Sequence, residues 1–151
     1  MKILVPDTIP LDPAELRSDD LEPIGYRVAE PVPDEHVDAE ALVVWTNGRE
    51  QLADAARRMP RLRWIQDLAA GPGPVLQAGF PDGVLLTSGR SLHDRTVAEH
   101  ALALTLAAAR HLHLAVRAQI GHRWASELGG VQPHDNAQGF TTLRDATVVI
   151  W

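Results

Sequence analysis

Five short apolar runs constrain what this chain can become: Ile3-Leu4-Val5, Ile24 to Val28, Ala41 to Trp45, Leu62 to Ile65 and Val84-Leu85-Leu86, each separated from the next by polar or helical sequence. Between the third and fourth lies Arg49 to Met59, where Leu52, Ala55, Ala56 and Met59 fall three or four apart on one helical face and Pro60 ends the pattern. Asn47 stands where an N-cap belongs, with Glu50 three residues on. Strand, helix, strand is the rhythm of an α/β parallel sheet. A sixth run, Thr147 to Trp151, is apolar on both faces, the pattern of a parallel strand covered on both sides, which normally continues into a turn and a helix.

Composition narrows the function. With 151 residues and 45% hydrophobic content the chain can bury an ordinary core. A formal charge of -6, with 14 basic residues scattered and no basic run longer than Arg57-Arg58, argues against nucleic acid as a partner. There is no cysteine, which excludes disulfides and thiolate zinc sites and suits the cytoplasm. The apolar stretch at the N-terminus is too short for a signal-peptide core, and Ala101 to Ala109 is less than half of the roughly 20 residues of a membrane span. The expectation is a soluble, cytoplasmic protein.

Pro is dense between Pro6 and Pro33, so the first connection should be poorly helical, with a short helix within Leu11 to Leu21. Thr96-Val97-Ala98-Glu99-His100 opens the most distinctive element. Thr96 and Glu99 form the pattern of a capping box, and Gly121 ends a helix read as running to about Ile120. At 1.5 Å per residue it is roughly 36 Å long. Apolar residues occupy nearly every side of it from Ala101 to Ala109, so burial all round is expected, by its own domain and by a second domain or a second copy of the chain. Gln132 to Gly139 reads as a linker.

Five segments in order, Leu62-Arg63-Trp64-Ile65-Gln66, Leu68-Ala69-Ala70-Gly71-Pro72-Gly73, Thr87-Ser88-Gly89-Arg90, Val97 to Leu102 and Leu143 to Ile150, together resemble the D-isomer-specific 2-hydroxyacid dehydrogenases, with the feel of the glyoxylate/hydroxypyruvate reductase branch. The resemblance covers nearly the whole chain. It implies a flavodoxin-like substrate-binding domain over 1–93, a linking and dimerising helix over 94–122, a loop over 123–142, and over 143–151 the first strand of a Rossmann domain that binds NAD or NADP. In the family a Gly-x-Gly-x-x-Gly turn follows that strand and would hold the cofactor pyrophosphate. The family's catalytic Arg, His and Glu lie beyond that turn, so no residue here is matched to them. The chain by itself is expected to be inactive.

The resemblance carries over the substrate side. Ala69, Ala70 and Gly71 match the loop whose backbone N–H groups bind the substrate carboxylate, where small residues let an anion approach the main chain. Pro72-Gly73-Pro74 departs from the family pattern, as does Ser88, where many relatives have Asn. Trp45 matches a position facing the cleft, and Arg90 is the nearest fixed positive charge for a 2-oxo or 2-hydroxy acid. Ligands of open α/β sheets sit at the carboxyl ends of strands, so these residues should share one crevice.

Duller readings stand beside these. Ala69 to Gly73 also suits a plain strand-to-helix connection, Trp45 the core, Arg90 a solvated position and Ser88 a turn. His111 and His113, two apart on a helix, point about 200° apart and cannot share a metal ion. Ser88 and Ser91 lack the elbow of a nucleophilic hydrolase. Phospho-receiver domains share the sheet, but Trp45-Thr46 stands where their acceptor Asp would be. The alternative from another class is a non-enzymatic module that dimerises through 97–120 and binds a small carboxylate.

Overall fold

A computed structural model describes residues 1–129 and 142–150. The chain divides into two units, Met1–His93 and Asp94–Trp151. The first holds five parallel strands, β1 Lys2–Pro6, β2 Glu22–Tyr26, β3 Ala41–Val44, β4 Trp64–Asp67 and β5 Leu85–Ser88, in the order β2-β1-β3-β4-β5. This is the flavodoxin-like order. The register sets Ile24, Leu4, Leu42, Ile65 and Leu86 in one row across the sheet. That row packs with Leu52, Ala55 and Met59 in a single apolar cluster. Leu52 and Ala55 come from α1, Arg49–Arg58, whose apolar spacing put them on one face. A short helix, α2 Gly73–Leu76, adds Val75 to the cluster.

Local chemistry moves three expected boundaries. The helix expected within Leu11 to Leu21 is one 3-10 turn, Pro13–Leu16: Asp12 accepts from the Ala14 N–H at 2.9 Å, and Pro13 suits a first helical position. Asn47 does not cap α1. Gly48 occupies that position without a side-chain bond, because the Asn47 amide is engaged elsewhere. Thr96 is likewise no cap, since the helix it was expected to open begins two residues earlier, at Asp94.

The second unit contains α3 Asp94–Ala109 and α4 Leu112–Ile120, not one helix to Ile120. His111 adopts a left-handed conformation, φ 52°, which ends α3 and starts α4. His is among the few residue types that enter this region with any frequency, so the break falls where the sequence tolerates it. The all-round burial expected of this helix needs a second domain or a second copy, and in this chain by itself the apolar residues of α3 are exposed. Leu102 is 64% exposed, Leu104 58% and Leu106 51%, while Ala109 and Ala118 are the buried residues of the two helices. An apolar helix is covered only where another element lies against it. No helix among the described residues is long and apolar enough to cross a membrane.

The segment expected to be a Rossmann strand lies outside any strand over 147–150, with Val148, Val149 and Ile150 exposed; Trp151 falls outside the described residues, as does the linker Gln132 to Gly139. A strand apolar on both faces forms only against hydrogen-bonding neighbours and two covering layers, and it has not joined the five-stranded sheet.

Leu42 sits on the central strand, 1% exposed, so Leu42→Ala should lower stability by about 3 kcal/mol. In urea unfolding this reads as a lower midpoint with an unchanged slope.

Candidate functional site at the carboxyl edge of the sheet

Because all five strands are parallel, their carboxyl ends and the loops that follow share one edge. The register places Val44, Asp67 and Ser88 side by side. The residues after them therefore begin three adjacent loops: Trp45-Thr46-Asn47, Leu68 to Pro72, and Gly89-Arg90. Trp45, the Ala69–Gly71 loop, Ser88 and Arg90 are thus brought to one edge by the sheet.

The β3 loop is held in a costly conformation. Thr46 has φ 64°, a left-handed geometry that a β-branched residue adopts at a cost of about 1–3 kcal/mol. Four hydrogen bonds offset it. The Trp45 N–H donates to Asn47 Oδ1 at 3.1 Å, and the Trp45 carbonyl accepts from Thr8 Oγ1 at 3.0 Å. The Asn47 amide nitrogen donates to the Tyr26 hydroxyl at 2.9 Å, and that hydroxyl, with one proton to give, donates to the Val43 carbonyl at 2.8 Å. Burial, ahead of any neighbouring group, pushes the Tyr26 phenol well above its ordinary range, so it remains a neutral donor.

The β4 loop is pinned at two successive peptides. Asp67, 4% exposed, accepts the Ala69 N–H at 2.9 Å through Oδ1. The Ala69 carbonyl accepts the Gly89 N–H at 2.9 Å. In a trans peptide the N–H points opposite to the carbonyl, so this bond turns the Ala70 N–H away from Gly89. Among the described residues the N–H groups of Ala70 and Gly71 have no acceptor. Ala69 is therefore removed from the expected set of anion donors, and Ala70 and Gly71 remain.

Two glycines here have different reasons. A Cβ on Gly89 would lie 2.0 Å from the Leu68 carbonyl oxygen, so the packing of β5 against the β4 loop demands glycine. A Cβ on Gly71 would meet nothing within 4 Å. The space over the Gly71 backbone is open, as close approach of a ligand to the main chain requires. Of the remaining expected residues, Trp45 and Ser88 are half-buried, while Arg90 is exposed and has no ion pair among the described residues.

Two residues of this edge escaped the sequence reading. Asp67 ends a strand and carries no motif; only its burial and its bond to Ala69 reveal it. His93 stacks on Trp45, with ring centroids 5.6 Å apart and planes at 24°. They are 48 positions apart in sequence (93 − 45), and no local pattern connects them. No group of three His, Asp or Glu side chains among the described residues is placed to hold a metal ion.

Neither a family model nor a curated protein matches the chain. Solved structures do. A D-isomer-specific 2-hydroxyacid dehydrogenase family protein from Aeromonas salmonicida aligns over 87% of this chain at 17% identity, with a TM-score of 0.63. The chain shares its fold. D-lactate dehydrogenase from Aquifex aeolicus, solved with NAD and lactic acid, aligns over 86% of the chain at 22% identity and a TM-score of 0.62. A probable 2-hydroxyacid dehydrogenase from Rhizobium etli, solved with NADP, HEPES and L(+)-tartaric acid, aligns over 87% at 24% identity and a TM-score of 0.54. The chain spans 41% of the length of each of these three proteins.

Gly89→Ala should force the β4 and β5 loops apart and lower stability by about 2 kcal/mol, the cost of overpacking against rigid backbone. Thermal unfolding measures the loss, and amide shifts at Ala69 and Ala70 should move with it.

Proposed function

We propose that this chain is the substrate-binding portion of a dehydrogenase that exchanges a hydride between NAD or NADP and a 2-oxo acid or D-2-hydroxy acid. One observation carries the reading: two adjacent N–H groups, Ala70 and Gly71, without acceptors among the described residues, at the carboxyl edge of a flavodoxin-like sheet, with open space above the glycine. The five sequence segments that resemble the family and the shared fold of solved dehydrogenases support it. In this reading Ala70 and Gly71 bind the substrate carboxylate, Arg90 adds positive charge, and Trp45 and Ser88 line the crevice. The nicotinamide supplies the hydride chemistry. Among the described residues no strand is followed by a Gly-x-Gly-x-x-Gly turn, so the residues in hand do not fit the cofactor, and no step of the transfer is assigned to them.

Two charge-assisted hydrogen bonds at about 2 kcal/mol each correspond to a dissociation constant on the order of 1 mM. Titrating the ¹⁵N-labelled chain with glyoxylate should therefore shift the Ala70 and Gly71 amide resonances. Gly71→Val places its Cβ where no atom lies within 4 Å, so it should fold normally yet lose at least about tenfold in affinity by blocking the approach. Shifts scattered over the surface would refute the site. Mixed with NADH and glyoxylate, the chain alone should show no turnover, and measurable oxidation would overturn the proposal that the chemistry resides elsewhere.

The same reading makes the chain a cytoplasmic homodimer joined through residues 97–120. The exposed Leu102, Leu104 and Leu106 of α3 and Leu112 and Val116 of α4 favour it. Leu102 and Leu106 share one face of α3 and Leu104 lies on the opposite face, so apolar surface of the kind that marks an association site is exposed on both. Light scattering should give twice the chain mass, and Leu104→Glu should give the monomer.

A further inference from the structure

His93 joins two loops that the anion reading treats separately. Its imidazole stacks on the Trp45 indole after β3, and its Nε2 lies 3.0 Å from the Leu68 carbonyl oxygen after β4. A carbonyl oxygen only accepts, so Nε2 carries the proton of that bond. The same peptide is held at its other end, where the Ala69 N–H donates to Asp67. With both polar groups engaged, the Leu68–Ala69 peptide plane has a fixed orientation, and the next plane, which carries the Ala70 N–H, is held in turn by the Ala69 carbonyl's bond to the Gly89 N–H. Gly89 presses on the same Leu68 carbonyl from β5, with room for no side chain.

Core formation does not explain these contacts. His93 and Trp45 are both half-buried, and neither belongs to the apolar cluster of the sheet. Their stacking and the bond to Leu68 lie at the edge of the sheet. We infer that His93 is a positioning residue, bracing Trp45 against the Leu68–Gly71 loop so that the Ala70 and Gly71 N–H groups are aligned before an anion arrives. The inference deepens the substrate-loop reading and rests on it. Such alignment strengthens binding by removing the cost of ordering the loop.

Three variants separate the two contacts. His93→Gln keeps a side-chain donor and drops the stacking, His93→Phe keeps the stacking and drops the donor, and His93→Ala drops both. In the unliganded chain, the Ala and Phe variants should shift the Ala70 and Gly71 amide resonances and speed their hydrogen exchange, while the Gln variant stays near wild type. Glyoxylate affinity should fall about tenfold in the Ala and Phe variants and less than about threefold in the Gln variant. A merely structural role would lower the urea midpoint in all three alike and disturb amides throughout the sheet. Unchanged Ala70 and Gly71 resonances in His93→Phe overturn the inference, and this variant decides the matter if His93→Ala fails to fold. Wild-type amides that ignore glyoxylate overturn the substrate reading instead, and the unliganded resonances of the variants then settle the brace alone.

Discussion

The parallel register that lines up Val44, Asp67 and Ser88 is the constraint on which the rest of the first unit depends. Parallel strands cannot be joined by tight hairpins, so each must be followed by a crossover, and every crossover leaves from the same edge. Three loops of unrelated sequence are thereby forced into contact. The row of Leu4, Leu42 and Ile65 beneath them keeps that register, because a slip of one residue would turn its apolar side chains to the opposite face.

At this edge most polar groups are spent on holding loops in place. The Asn47 amide, the Tyr26 hydroxyl and the Thr8 hydroxyl secure the turn that contains the left-handed Thr46. Asp67 and the Gly89 N–H secure the two peptides that lead into Ala70. What is left without acceptors among the described residues is a pair of adjacent N–H groups, one of them on the open glycine Gly71. A backbone donor pair held this firmly suits a small anion, since the loop needs little reorganisation to receive it.

The second unit poses the opposite case. Its helices carry leucines on nearly every side, yet the leucines lie open to solvent. The hydrogen bonds of a helix close within four residues along the chain, so the pattern that gives α3 and α4 is local. The last described residues behave differently. Val148 to Ile150 have strong strand propensity, but a strand owes its existence to neighbours, and here they are outside the sheet.

Much of the fold was legible because its signals are local. The five apolar runs lie on or beside the five strands, and the spacing of Leu52, Ala55 and Met59 gave α1 with its buried face. The break at His111 was hidden, because the apolar pattern runs straight through it. Of the site, the small-residue loop and Trp45 could be named from sequence. The sequence also determined that Gly71 sits among small residues, but it does not distinguish Gly71 from Gly89, whose glycine answers to a carbonyl 21 positions away (89 − 68). Only the tertiary structure decided that Ala69 is bound to Asp67, that Ala70 and Gly71 are not, and that His93 meets Trp45. Apolar periodicity is set by neighbours along the chain, whereas the pairing of a donor or a ring is set by whatever the sheet brings alongside it.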